Sequence, residues 1–135
     1  MKIILEKATE SDAAVLFQMQ IDSFNPLLNK YKDYETNPAN ESIEKTIFRI
    51  NNPSSNFYKM IIDSRLVGAI CISQKELPYK FWISPMFIHP IYQGIGIAQK
   101  VLILIEEMFP EAQSFELATI FKRRKKLFSI RKNKE

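Results

Sequence analysis

Glycine is almost missing from this chain of 135 residues: there are three, and two of them, Gly94 and Gly96, stand two positions apart. The one cysteine, Cys71, excludes an internal disulfide, and the apolar run around it marks a buried structural thiol. The chain has one histidine as well, His89, and this pair argues against a zinc site. Long apolar runs are missing too: none approaches the roughly 20 residues that cross a bilayer. Residues 1–8 mix charges with apolar side chains, unlike a signal peptide. No internal repeat is present. Together these absences predict a cytoplasmic protein without a resident metal or a transmembrane segment.

What is present is a chain that is 46% apolar, long enough for one domain with a real core. Its net charge of +4 is unevenly spread. Residues 121–135 hold eight of the 19 Lys and Arg and one of the 15 Asp and Glu, so they carry +7 and the remainder −3. The body is mildly acidic, and the basic character belongs to the C-terminal stretch.

In chain order, Lys2 to Lys7 reads as a strand, with Thr9 or Ser11 capping a helix from Asp12 to about Phe24. Ala13, Leu16, Phe17, Gln20 and Phe24 share its inner face, and Asn25-Pro26 is expected to end it. Residues 25–41 form a polar, aromatic connection. A second helix from about Ser42 carries Ile43, Ile47 and Ile50 and stops at Asn51-Asn52-Pro53. Phe57 to Ile62 and Leu66 to Ser73 make a hairpin about Asp63-Ser64, and Gly68 marks a bulge or a close backbone contact. Phe81 to Ile88 is a strand, irregular near Pro85 because proline cannot donate to a ladder. A greasy helix from Gly96 to Met108 must pack on the sheet, with Ile97, Val101, Leu104 and Met108 as one stripe and Ala98, Leu102 and Ile105 as the next. Ser114 to Ile120 is a strand, so strand, helix and strand here form a right-handed parallel unit.

The glycine pair therefore sits where a strand turns into a helix. Such a turn exposes N–H groups without intrahelical partners at the positive end of a helix dipole, a site suited to phosphate. A dinucleotide fingerprint would need a third glycine where Gln99 stands, and no Gly-Lys-Ser/Thr is present for a P-loop. The plainer reading is that Gly94 and Gly96 only permit a tight turn.

The run Gln93-Gly94-Ile95-Gly96-Ile97-Ala98 contains Gln-x-x-Gly-x-Ala. With Ile88-His89-Pro90 before it and a leucine-rich helix after it, this resembles the acyl-CoA signature of the GNAT family of N-acetyltransferases. The order β-α-α-β-β-β-α-β over residues 1–120 is similar to that family's. The resemblance implies a mixed α+β GNAT-like fold, mostly antiparallel, with a parallel β-α-β unit at the cofactor site and without the family's last strands. It implies that acetyl-CoA is the cofactor, with CoA as product. The backbone from Gln93 through Gly94, Ile95, Gly96 and Ile97 to Ala98 would hold the diphosphate. The strand Met86, Phe87, Ile88 would pair with the pantetheine arm, and Pro85 and Pro90 would help splay it from the strand at 114–120. The expected reaction is acetyl transfer to the primary amine of a small-molecule or peptide acceptor.

No catalytic residue follows from the sequence. The strand Phe81 to Ile88 has no carboxylate, Glu116 and Glu76 are weak candidates for a base, and His89 reads as a hydrogen-bonded surface residue. All five tyrosines (31, 34, 58, 79 and 92) precede the helix after the glycine turn, so none can be the family's thiolate acid. By resemblance, the stretch Lys30 to Glu35, with Tyr31, Asp33 and Tyr34, would border the acceptor.

The division expected is a transferase domain over 1–120 and a basic tail over 121–135. The tail invites three readings: a docked or frayed end, a short basic amphipathic helix touching nucleic acid or an anionic membrane, or a shifted reading frame. Read one base forward, adenine-rich codons for Phe121 to Lys132 can yield Leu-Lys-Glu-Glu-Lys-Asn-Cys-Leu-Ala-Tyr-Glu-Lys, similar to the family's missing helix. No nucleic-acid module accompanies the tail, so a nucleic-acid partner is disfavoured. The alternatives to an active transferase are a CoA binder with little turnover and a basic-tailed nucleic-acid or membrane protein. A sheet edge left open would be covered by a homodimer or by the tail folding back.

Overall fold

The computed structural model describes the backbone of residues 1–31, 41–74, 80–121 and 124–131, and side chains within 1–25, 41–74 and 80–117. One sheet of six strands runs in sequence order: β1 (Ile4–Lys7), β2 (Ser55–Ile62), β3 (Arg65–Gln74), β4 (Lys80–Ile88), β5 (Ser114–Phe121) and β6 (Arg124–Arg131). Every neighbouring pair is antiparallel except β4 with β5, which is parallel. Helices α1 (Ala13–Tyr31) and α2 (Ile43–Asn51) lie between β1 and β2 in sequence, and α3 (Ile97–Met108) links β4 to β5. This is the mixed α+β architecture that the sequence predicts, with the parallel crossover where expected.

Two apolar clusters sandwich the sheet. Ile97, Val101 and Ile105 of α3 join Met60, Ile70, Ile72, Phe81, Ile83 and Phe115 in one. Leu16 of α1 packs with Phe57, Ala69, Cys71 and Phe87 in the other. The buried stripe of α3 is thus every fourth residue from Ile97. Met108, expected on the inner stripe, is 42% exposed. Cys71 is fully buried, and burial pushes its thiol pKa up, as befits a structural thiol.

Three local expectations are revised. Helix α1 does not stop at Asn25-Pro26 but continues to Tyr31. Proline removes one intrahelical hydrogen bond, and here that loss does not end the helix. Lys30 and Tyr31 therefore belong to α1 rather than to a loop, while residues 32–40 lie outside the described residues. The basic stretch is not an amphipathic helix: residues 124–131 form β6, antiparallel to β5 along its whole length, from Ser114 opposite Arg131 to Phe121 opposite Arg124. It closes the edge that β5 would otherwise leave open. Four of the eight residues of β6 are Arg or Lys, a composition that resists pairing with a further strand.

The hairpin turn Asp63-Ser64 has positive φ at both residues (49° and 64°), the geometry matched to strand twist. Gly68 shows both predicted features. The β2–β3 register shifts beside it, between Met60 and Ile61, and a Cβ at this position would run into the Phe87 carbonyl oxygen.

Glu41 ties the two helices together. Arg49 donates to both of its oxygens, at 2.7 and 3.0 Å, and the buried Gln20 amide donates at 2.9 Å. Burial pushes the Glu41 carboxyl upward, but Arg49, Gln20 and Lys45 outweigh it and hold the pKa below its ordinary value of 4.5. A lowered folded-state pKa gives stability that is present above the ordinary value and lost as pH falls through the lowered one. Arg49→Met is therefore expected to destabilise by about 2 kcal/mol at neutral pH, because it leaves a half-buried carboxylate unpaired. The deficit should shrink below pH 4.5 as Glu41 takes up a proton. Denaturant titrations at two pH values check this.

Candidate functional site

Strand β4 changes phase in its middle. Ile72 pairs with Ile83 and Ile70 with Met86, so Cys71 alone faces Ser84 and Pro85. This is the bulge expected at Pro85. Because side chains alternate, one extra residue exchanges the faces. Before the bulge Phe81 and Ile83 point to the α3 cluster; after it Met86 and Ile88 pack there, and Phe87 turns to α1.

The bulge is also where β4 and β5 part. Their parallel pairing runs from Lys80 with Ser114 to Ile83 with Leu117 and stops. Met86 to Ile88 keep β3 on one side, Ile88 lying opposite Gly68, while β5 continues beside β6. The sheet therefore forks, and Met86, Phe87 and Ile88 line one prong. The splay expected from Pro85 is present.

The end of that prong is pinned twice. The Ser23 hydroxyl of α1 donates to the Ile88 carbonyl at 3.2 Å, and the Gln93 side-chain amide donates to the same oxygen at 2.8 Å. Phe24 packs edge-on against Phe87, with ring centroids 6.2 Å apart. No local pattern points to Ser23, which lies 65 residues from its acceptor. Gln93, read as a motif residue, uses its side chain to brace the turn and leaves only its backbone for a ligand.

Beyond Ile88 the chain makes a 3-10 turn over Pro90–Tyr92, capped by His89, whose Nδ1 accepts from the Ile91 N–H at 3.2 Å. The sole histidine is thus hydrogen-bonded at the surface, as read. Gly94 and Gly96 then adopt φ of +82° and +85°. Gly96 is the N-cap of α3 and supplies no side chain to its first N–H groups. A Cβ built at either glycine meets nothing within 4 Å. The protein itself thus does not need the room, and the open space lies on the outer side of the turn. Gly94, Ile95 and Gly96 are exposed, Ala98 is half-buried, and Ile97 is buried in the core and can offer only its backbone. Met86–Ile88 thus line the fork and Gln93–Ala98 make the turn into α3, with the 3-10 turn between them.

The weak catalytic candidates separate. Glu116 on β5 is the register partner of Trp82, one residue before the fork. Phe81 and Phe115 face α3, so Trp82 and Glu116 lie on the α2 side. Tyr58 is partly buried in β2, and burial raises its pKa. Tyr92 stands by His89, at a ring separation of 6.3 Å. Glu76, Tyr79, Tyr34 and the stretch from residue 32 to Glu35 lie outside the described residues. Among the described residues no helix is long and apolar enough to cross a membrane, and no group of three His, Cys, Asp or Glu could hold a metal.

The parallel strands part at a fork, and the prong beyond it leads to a glycine-capped helix N-terminus, a place suited to an anion. Sequence comparison gives the family. The chain belongs to the Acetyltransferase (GNAT) family, whose model matches residues 16–125. Solved structures of similar fold include an acetyltransferase from Thermus thermophilus, with a TM-score of 0.70 and 14% identity over 88% of this chain and 77% of that one. Another is the PaiA N-acetyltransferase from Thermoplasma acidophilum in complex with coenzyme A (TM-score 0.70, 19% identity, 88% and 80% covered). A third is a GNAT family acetyltransferase from Brucella melitensis in complex with acetyl-CoA (TM-score 0.63, 19% identity, 89% and 77% covered). No curated protein matches in sequence.

Proposed function

We propose that this protein binds acetyl-CoA and transfers its acetyl group to a primary amine. The observation that carries this is the turn at Gly94 and Gly96: two left-handed glycines whose missing side chains open outward, over a helix N-terminus. The residues present fit the cofactor. Backbone N–H groups from Gly94 to Ala98 would hold its diphosphate. The edge of Met86, Phe87 and Ile88 that has parted from β5 would hydrogen-bond its arm in the manner of an added strand, through backbone groups other than the Ile88 carbonyl, which Ser23 and Gln93 already occupy. When bound, acetyl-CoA supplies the acetyl group as an activated thioester.

The remaining roles fall to this chain's own groups. The bulge at Ser84-Pro85 stops the ladder at Ile83 and so opens the fork. Glu116 is the one carboxylate in β4 or β5 and sits beside that fork. We assign to it the deprotonation of the incoming ammonium, directly or through one water. The neighbours bound to coenzyme A and acetyl-CoA support the cofactor assignment, and so does family membership.

Calorimetry with acetyl-CoA and with CoA tests this reading first. Saturable binding of both is expected, and none at high micromolar ligand would overturn it. Thiol release with a panel of amines then distinguishes an enzyme from a CoA binder without turnover.

A further inference from the structure

A cleft of roughly 330 Å³ opens on the α2 side of the sheet. Its walls include Lys45, Phe48 and Arg49 of α2, Ser73 of β3, and Trp82 and Ser84 of β4. Its size suits a ligand of about dipeptide bulk. Ser84 belongs to the bulge, and Trp82 is the register partner of Glu116, so the cleft reaches β4 where the fork begins.

The charges along it are not uniform. Arg49 is already matched by Glu41 through two hydrogen bonds. Lys45 reaches Glu41 only at 3.9 Å, and its side chain is 63% exposed. Its ammonium can therefore turn to a ligand at the outer end. Among the described residues that line the cleft there is no carboxylate; Glu116 lies outside the lining, on the strand next to it, in register with Trp82. Between the two, Phe48, which is 67% exposed, and Trp82 offer aromatic surface.

We propose that this cleft holds the acceptor and selects a zwitterionic amine, such as an amino acid or short peptide, over a polyamine. The proposal rests on the transferase reading above and adds the acceptor class to it. The acceptor's amine points inward to Glu116 and the fork. Its carboxylate points outward to Lys45, and an apolar side chain packs on Phe48 and Trp82. A polycationic amine would place a second positive charge near Lys45, where no lining carboxylate offsets it.

Trp82 is the sole tryptophan and lines the cleft, so tryptophan-selective fluorescence reads a single site there. The full chain, free of CoA, is titrated with glycyl-L-phenylalanine and with spermidine. A saturable change with the dipeptide and none with spermidine is expected. Lys45→Glu should weaken the dipeptide about five-fold, and Phe48→Ala should weaken it as well. Both side chains are exposed, so the fold should persist, which circular dichroism verifies. Spermidine binding as tightly as the dipeptide, no response to the dipeptide, or unchanged affinity in Lys45→Glu would each overturn the assignment. Because no cofactor is used, these outcomes are independent of whether acetyl-CoA binds.

Discussion

Gly96→Glu is expected to abolish binding of CoA and acetyl-CoA in calorimetry, a loss of about a hundred-fold or more, equivalent to roughly 2.7 kcal/mol. Two effects contribute, and they can be separated. At φ of +85° any side chain is strained, at a cost of about 1–2 kcal/mol to the free protein. The glutamate also puts bulk and negative charge into the space outside the turn, where a diphosphate must approach the helix N-terminus. Gly96→Ala isolates the first effect: its Cβ meets nothing within 4 Å, so it should lower stability modestly and reduce affinity far less. If Gly96→Glu folds and binds CoA as the parent does, the turn is not the diphosphate site.

Gly68→Ala should be the most damaging of the three glycine-to-alanine changes. A Cβ there would collide with the Phe87 carbonyl oxygen and lie 3.0 Å from the Met60 sulfur and 3.1 Å from the Ile88 Cα. Two of these three obstacles are backbone, and neither can move without displacing β4. Overpacking of this kind costs about 1–3 kcal/mol, and more where the backbone must shift. A fall in melting temperature of roughly 3–4 °C for each kcal/mol lost is the expected readout for a domain of this size. The shift falls on the Phe87–Ile88 prong of the fork, so surviving protein should also bind acetyl-CoA less tightly. An unchanged melting temperature would mean that β3 and β4 can separate there without loss.

The parts of the site that the sequence disclosed are those in which one residue type has few uses. Three glycines in the whole chain make two in one turn conspicuous, and both hold the left-handed conformation. A proline inside an apolar strand has few places to go, and Pro85 sits in the bulge. The stripe of α3 is legible from periodicity, although its buried members are Ile97, Val101 and Ile105.

What stays hidden depends on tertiary neighbours. Ser23 and Gln93 meet on one carbonyl oxygen only because α1 crosses the end of β4. Pro26 reads as a stop in any local window, yet the helix passes it. The basic stretch has no clean two-residue alternation, so charge dominates its pattern and masks a strand that pairs with β5. The cleft is hidden for the same reason as the pinned carbonyl. Phe48, Arg49, Ser73, Trp82 and Ser84 come from three elements and share no motif.

The bulge at Ser84-Pro85 has one more consequence, which concerns parity. The two halves of β4 obey opposite odd-even rules. The first half is tuned to the core beneath α3, and the second presents Phe87 to α1 while its outer edge has parted from β5. Removing one residue between Ile83 and Met86 would restore a regular strand and exchange the two faces of one half, burying what is now outside. The irregularity is thus the point at which the strand passes from being paired on both sides to being paired with β3 alone.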